Sequence, residues 1–317
     1  MVLAVDIGGT TIKAEIVDPA LDAVRRADVP TPVPRPGPTT EAAGSGPAIV
    51  DAVIGASRDL LGDSAAEQRS RVRAAGVAVP GLVDAERGIA RFSANLGWRD
   101  LPLAGPLRTG LGLPVVIGHD VRLAGEAEWR RGAGRGCDHL LVIVIGTGIA
   151  ATVVSGGRTI SGAAGQIAEL GHVVVSPDGP RCGCGARGCL ETIASATAIA
   201  REYARRTGGE VAGAADVVAL LHTDPAAAAV WQEAVDALAD GIRTAVAMFT
   251  PNRIVIGGGL ALAGEALLEP LRRAVKVRAE VFGVPPIVGA AFGARAGLVG
   301  AALAAQQAAA RAGSADG

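Results

Sequence analysis

A chain of 317 residues exceeds the size that one hydrophobic core usually supports, so two domains or lobes are expected. Half of the residues are apolar, and a net charge of −1 with a pI near 6.4 gives no electrostatic case for nucleic acid or an anionic membrane surface. The start, MVLAVDIGG, lacks a basic region, and the uncharged run 140–154 is broken by glycines, so we expect neither a signal peptide nor a membrane span. A cytoplasmic protein is therefore expected.

The predicted elements alternate between strands and helices, which indicates a mixed α/β protein. The proline-rich segment 31–38 is expected to be a loop, because proline cannot continue a helix. Pro225 is expected at the start of a long helix. In chain order, the predicted strands are 2–5, 12–17, 23–29, 71–79, 114–117, 140–145, 150–154 and 253–256, and the predicted helices are 41–61, 121–131, 191–206, 214–221, 226–249, 260–279 and 294–310.

Three of the four cysteines lie within eight residues, and a histidine precedes the first of them by ten positions. Four nitrogen and sulfur ligands are typical of a closed, structural zinc site. The alternative is a group of reduced core thiols beside an unrelated histidine, and Cys137, which stands apart, is expected to be a plain buried thiol. Glu169 and Glu191 flank the cluster, so a bound metal would fix two carboxylates. The predicted zinc ligands are His172, Cys182, Cys184 and Cys189.

A short apolar strand followed by a glycine turn occurs three times. Exposed backbone N–H groups at such strand ends let phosphates approach closely, and Asp6 in the first turn is a candidate ligand for hydrated Mg²⁺. None of the turns matches the P-loop or the dinucleotide fingerprint, so each by itself is an ordinary turn. The candidate phosphate-binding residues in and beside these turns are Asp6, Gly8, Gly9, Thr10, Thr11 and Lys13, then Gly146, Thr147 and Gly148, then Gly257, Gly258 and Gly259.

Taken in order, these motifs resemble those of ROK-family sugar kinases. The resemblance implies a two-lobed actin-like ATPase (ribonuclease H-like) sugar kinase fold, α/β in class, with a structural zinc loop. The lobes are expected at 1–118, together with a C-terminal helix at about 298–317, and at 119–297. The motifs that carry the resemblance are DIGGTTIK (6–13), VAVPGLVD (77–84), SANLGW (93–98), GHDV (118–121), IGTG (145–148), ELGH (169–172), CGCGARGCLE (182–191) and IGGGL (256–260).

The resemblance also implies the chemistry, which is transfer of a phosphoryl group from ATP to the 6-hydroxyl of a hexose, with glucose as the expected substrate. It makes Asp120 the general base, although an aspartate there would also suit the N-cap of the following helix. ATP, Mg²⁺ and structural Zn²⁺ are the implied cofactors, and a homodimer or homotetramer is expected. The implied sugar-binding residues are Asn95, His119, Asp120, Glu169, His172 and Glu191.

The chain departs from the family pattern at three positions. His119 stands where asparagine is usual, Ala168 stands where glycine is common and is expected to crowd the pocket slightly, and Thr11 occupies a lysine position, with Lys13 two residues later. These differences bear on which sugar is bound, so N-acetylglucosamine or N-acetylmannosamine kinase activity is an alternative. Polyphosphate is an alternative donor. A sugar-sensing transcriptional repressor of the same family is a third alternative, but it would need a DNA-binding segment ahead of Asp6, where we expect no room.

Overall fold

The computed structural model describes residues 1–32, 46–62, 71–93, 95–162 and 167–315. Within these residues the chain forms two compact units, one containing 1–127 and 295–315 and the other containing 128–162 and 167–294. The α/β class expected from the sequence is confirmed. The lobe boundaries expected from the sequence stay a prediction.

Five strands form the main sheet of the first unit: β1 (Val2–Ile7), β2 (Thr11–Val17), β3 (Ala23–Pro30), β4 (Ala75–Val79) and β8 (Val115–His119). Their order in the sheet is β3-β2-β1-β4-β8. The β3–β2 and β2–β1 pairs are antiparallel, whereas β1–β4 and β4–β8 are parallel. The predicted strand 71–79 is shorter than expected, since only its last five residues join the sheet.

A second, three-stranded sheet in this unit was not predicted, because its strands are short and only partly apolar. It consists of β5 (Leu82–Asp84), β6 (Ile89–Ser93) and β7 (Trp98–Pro102). Helices α1 (Gly46–Gly62), α2 (Ala104–Leu111) and α3 (Asp120–Arg131) also begin in the first unit. The predicted helix 41–61 is confirmed from residue 46 onward, and positions 41–45 lie outside the described residues, as do 33–38 of the predicted proline-rich loop.

The second unit contains a five-stranded sheet with the same topology as the main sheet of the first unit. Its strands are β9 (Leu140–Ile145), β10 (Ile149–Ser155), β11 (Arg158–Thr159), β12 (Arg253–Gly257) and β13 (Ile287–Gly289), in the order β11-β10-β9-β12-β13. The first two pairs are again antiparallel and the last two parallel. Each sheet therefore has an antiparallel hairpin with a glycine turn, between β1 and β2 in one unit and between β9 and β10 in the other.

Helices surround this second sheet: α4 (Glu191–Ala194), α5 (Ala196–Thr207), α6 (Ala214–Ala219), α7 (Pro225–Phe249) and α8 (Glu265–Arg278). The start of α7 is confirmed, with Pro225 in the first turn and the side chain of Asp224 accepting from the backbone N–H of Ala226 at 2.8 Å.

The prediction of one continuous helix over 191–206 is wrong. Ser195 has extended backbone angles, and its hydroxyl oxygen accepts from the backbone N–H of Ala198 at 3.1 Å. Serine is a favoured N-cap residue because its oxygen satisfies a donor that the first helical turn leaves free. The chain therefore ends α4 and begins α5 at this residue.

The last helix, α9 (Ala296–Ala315), belongs to the first unit and contacts β1 and β4. Small side chains on both surfaces allow this close packing, and Ala301, Ala302 and Ala305 of the helix are completely buried. No helix within the described ranges combines the length and the apolar character that crossing a bilayer requires.

Candidate active site

The first glycine turn is a rigid hairpin loop in the first unit. The backbone N–H of Gly8 donates to the carbonyl of Thr11 at 3.0 Å, and the hydroxyl of Thr31 donates to the carbonyl of Gly8 at 2.7 Å. Gly9 and Thr10 at the tip are exposed. The loop thus offers backbone to an anion without having to reorganise.

Asp6 precedes this loop, near the end of β1, and is paired in register with Lys13 of β2. Burial, and then the negative charge of Asp120, raise the pKa of Asp6 to about 6, while Lys13 acts in the opposite direction. Two carboxylates that repel each other in a partly buried setting are well suited to a divalent cation, which takes oxygen ligands and removes the repulsion. Asp6 is therefore a candidate ligand for Mg²⁺, and both carboxylates lie in the first unit.

Asp120 directly follows β8 and begins α3. Its Oδ1 accepts from the backbone N–H of Val121 at 2.7 Å and lies 3.2 Å from Nε2 of His119. The carboxylate is one-third exposed, so it is both anchored at the helix start and accessible. His119 therefore contacts the candidate base directly, which the sequence did not indicate. Asn95 is an exposed residue in the turn between β6 and β7.

In the second unit, the structure brings the four predicted zinc ligands together. The candidate ligand atoms of His172, Cys182, Cys184 and Cys189 all lie within 4.8 Å of one another. Nδ1 of His172 is 3.4 Å from Sγ of Cys182, and Sγ of Cys184 is 3.6 Å from Sγ of Cys189. Tetrahedral zinc, with bonds of about 2.0–2.3 Å, separates its ligand atoms by roughly 3.5–3.8 Å. The donor set and its geometry thus fit zinc.

The backbone of this loop explains its sequence. The N–H of Cys182 donates to the carbonyl of Ala186 at 2.8 Å, and the N–H of Gly185 donates back to Cys182 at 3.1 Å, which closes a tight turn. Gly188 has a φ of +69°, and a side chain there would collide with the backbone oxygen of Ser176.

The cysteines of the cluster differ in their surroundings. Burial, followed by hydrogen bonds from the neighbouring thiols, raises the pKa of Cys189 to about 12. The backbone N–H of Ala186, together with the neighbouring thiols, lowers the pKa of Cys184. A cation is what would hold a buried group such as Cys189 as a thiolate.

Glu191 connects the cysteine cluster to the second glycine turn. Its Oε1 lies 3.9 Å from Nδ1 of His172 and 3.9 Å from Sγ of Cys182. Its Oε2 accepts from the backbone N–H of Ile149 at 3.3 Å and lies beside Gly148, where a methyl group would meet it at 2.6 Å. No pattern in the sequence indicated this link, since the glycine turn precedes Glu191 by more than forty positions.

Glu169 occupies a sharp bend ahead of the cluster. Its φ of −69° and ψ of 56° define an inverse γ-turn, in which the N–H of Leu170 donates to the carbonyl of Ala168 at 2.7 Å. Its side chain is exposed, and the following 3₁₀ turn, Leu170–His172, presents His172 to the cysteines. Ala168 has a φ of +59°, a conformation that strains residues other than glycine. Alanine at position 168 therefore strains the backbone at this bend.

The third glycine turn lies beside the second. β9 and β12 are parallel neighbours, so their carboxyl ends share one edge of the sheet. Gly258 has a φ of +83°, and a side chain there would collide with the backbone of Ile145, the residue just before the second turn. A 3₁₀ helix, Gly259–Ala263, follows. Ligands of open α/β sheets bind at such carboxyl edges, which makes the two turns candidates for a ligand site.

Known proteins resemble this chain over nearly its whole length. The sequence model of the ROK family matches residues 2–308. The chain is 32% identical to a glucokinase of Streptomyces coelicolor, over 95% of this chain and 96% of that one, and 31% identical to an N-acetylmannosamine kinase of Citrobacter koseri, over 96% and 98%. It also superimposes, with a TM-score of 0.79 and 32% identity, on a ROK family glucokinase from Streptomyces griseus solved with glucose and AMPPNP, covering 96% of this chain and 99% of that one.

Proposed function

The chain belongs to the ROK family, and from this premise we propose that it is a glucokinase, which transfers the γ-phosphoryl group of ATP to the 6-hydroxyl of glucose. It is a sugar kinase with the two-lobed fold expected for one. The observation that supports glucose and ATP is the near-complete alignment with a glucokinase whose structure contains glucose and an ATP analogue.

Asp120 is the proposed general base. Its anchored carboxylate would accept the proton of the sugar hydroxyl as that oxygen attacks the phosphorus atom and the bond to ADP breaks. Its hydrogen bond from Val121 fixes the orientation of the carboxylate, and its partial exposure leaves it accessible to substrate. A positioned base of this kind contributes about 10²–10⁴-fold to the rate.

Backbone N–H groups at the three glycine turns are proposed to bind the nucleotide, the first two turns the phosphates and the third the adenosine. Close approach of backbone to phosphate needs residues without side chains, and the turns supply them. Asp6 is proposed to hold Mg²⁺ through oxygen, with Lys13 nearby. When bound, the cation would neutralise the charge that develops on the phosphoryl oxygens.

The sugar is proposed to bind through Asn95, His119, Asp120, Glu169, His172 and Glu191. In this proposal the zinc is structural, because four protein ligands leave no open position for substrate or water. With Nδ1 of His172 facing the cysteines, its Nε2 is the nitrogen assigned to the sugar. The zinc loop then acts by holding Glu169 and Glu191 in place.

N-acetylmannosamine kinase activity is the second candidate, and the likeness to the Citrobacter koseri enzyme supports it. The two substrates differ by one substituent and by stereochemistry at one carbon, so the choice depends on the local volume near the sugar. Assembly as a homodimer or homotetramer stays a prediction.

A coupled assay of ADP release would test the proposal. Glucose, N-acetylglucosamine and N-acetylmannosamine are compared as acceptors, and ATP is compared with polyphosphate by measuring sugar phosphate directly. We expect the highest kcat/KM for glucose with ATP. The variant Asp120→Asn should bind glucose with near-normal affinity yet turn over at least about 10²-fold more slowly, and Asp59→Asn, an exposed change on α1, serves as the matched control. A preference for an N-acetylhexosamine would replace glucose, and near-normal turnover of Asp120→Asn would exclude it as the base.

A further inference from the structure

Gly297, the second residue of α9, lies directly against the carboxylate of Asp6. A Cβ added at Gly297 would lie 2.7 Å from Oδ2, 3.0 Å from Cγ and 3.3 Å from Oδ1 of Asp6, whereas ordinary contact begins at 3.4 Å. Both residues belong to the first unit. Even the smallest side chain at this position would require Asp6 or the helix to move.

The helix is held too tightly to move away. A side chain at Gly76 of β4 would collide with the backbone oxygen of Ala301, and one at Gly300 would collide with the backbone oxygen of Leu123. Helix α9 is therefore in backbone contact with two different elements, and such contacts have no side chain that can adjust. The group that must give way is the carboxylate of Asp6.

Beside Glu15, which is paired with Arg295 at 2.8 Å, the sheet surface that faces the helix carries one further carboxylate within the described residues of β1 and β2, that of Asp6. Ala4, Gly76 and Ala78 are its neighbours in the parallel register of β1 and β4, and all three are small. Small residues bring the helix close, and the same closeness places Gly297 against Asp6. The glycine thus defines one wall of the space in which this carboxylate lies.

We propose that Gly297 is a positioning residue, which fixes the carboxylate of Asp6 for Mg²⁺ by having no side chain. The proposal rests on the proposed function, since the metal belongs to the kinase reaction. Mg²⁺ requires ligands at about 2.0–2.1 Å in near-octahedral geometry, which leaves little tolerance for displacement. With a methyl group at 297, Oδ2 must move from 2.7 Å to at least 3.4 Å from the added carbon, a shift of about 0.7 Å. A misplacement of about 1 Å is enough to cost about 10²-fold in such sites.

The test is a double-mutant cycle with Gly297→Ala and Asp6→Ala, read out as the affinity for Mn²⁺ in the presence of AMPPNP, measured by electron paramagnetic resonance. We expect Gly297→Ala to weaken Mn²⁺ binding about tenfold or more when Asp6 is present. In the Asp6→Ala background the same substitution should have no further effect, because the added methyl group then fills the space left by the carboxylate. Gly55→Ala is the matched control, since Gly55 is an exposed glycine within α1 with open space around its Cα.

The results separate the positioning role from a structural one. A wild-type Mn²⁺ affinity in Gly297→Ala, or an equal loss in both backgrounds, overturns the proposal. If Gly297→Ala is unfolded, the double variant with Asp6→Ala is examined for folding. A folded double variant shows that the added methyl group collides with Asp6, which supports the proposal, and an unfolded double variant overturns it. A wild-type protein that binds Mn²⁺ and AMPPNP but phosphorylates no sugar refutes the proposed function, and the cycle still tests the glycine.

Discussion

Replacing Asp6 with asparagine should stabilise the metal-free protein, and the gain should depend on pH. Asp6 is a partly buried carboxyl that faces the charge of Asp120, and its pKa is raised from an ordinary value of 3.8 to about 6. The ionised form is therefore less favourable in the folded protein than in the unfolded chain. Asparagine has nearly the same shape as the protonated acid and carries no charge in either state.

The sign and size of the effect follow from proton linkage. Below pH 3.8 the carboxyl of Asp6 is protonated in both states, so its ionisation costs nothing. Between 3.8 and about 6 the folded state keeps a proton that the unfolded state releases, so stability falls as the pH rises. Above about pH 6 the folded protein carries the full free-energy cost of ionising Asp6. At about 1.36 kcal/mol per pH unit this cost is about 3 kcal/mol, and about half of it is present at pH 5.

The assay is chemical unfolding of wild type and Asp6→Asn in chelator-containing buffer at pH 5 and pH 8. We expect the free energy of unfolding of Asp6→Asn to exceed that of wild type by about 1.4 kcal/mol more at pH 8 than at pH 5. The difference should appear as a higher denaturant midpoint with an unchanged slope. Asp51→Asn, an exposed change on α1 in the same unit, controls for removing one negative charge. A stability advantage that is equal at both pH values, or a variant less stable than wild type at pH 8, would refute the raised pKa of Asp6.

Three further predictions concern the second unit. Purified protein should contain about one zinc per chain. The variant Cys184→Ser should lose the metal and some stability, whereas Cys137→Ser, outside the cluster, should keep the metal. A folded, active wild-type protein without zinc would contradict this prediction. The variant Ala168→Gly should raise the free energy of unfolding by about 0.5–1 kcal/mol, because relief of the positive φ outweighs the greater backbone entropy of glycine in the unfolded chain. The control Ala229→Gly, on the exposed face of α7, should lower the free energy of unfolding by about 1 kcal/mol. If both variants are less stable than wild type, Ala168 is not strained. Ser195→Ala should cost about 1 kcal/mol in thermal or chemical unfolding, since α5 loses its N-cap, and a neutral outcome would show that the cap contributes nothing.

Much of the fold could be predicted because it depends on neighbouring residues. Most strands of the two main sheets follow from short, largely apolar runs, whereas the short strands β11 and β13 were not predicted, and the start of α7 follows from Pro225. The clustering of the candidate zinc ligands was also predictable, since Cys182, Cys184 and Cys189 share one short loop that must bring them close. The break at Ser195 was missed, because alanine-rich sequence on both sides has helical periodicity and a single serine does not by itself indicate a cap.

The sequence by itself determined the α/β class, the glycine turns, the cysteine cluster and the resemblance to a kinase family, since all of these are encoded by residues close together in the chain. Only the tertiary structure decided that Glu191 joins the cysteine cluster to Gly148, and that Gly297 confines Asp6. Both contacts join segments that are distant in sequence, and each places a carboxylate oxygen against a glycine, 2.6 Å and 2.7 Å from where a Cβ would lie. A pattern of residue types records which groups prefer to be buried, but the distance between two buried groups is set by the packing of every element between them.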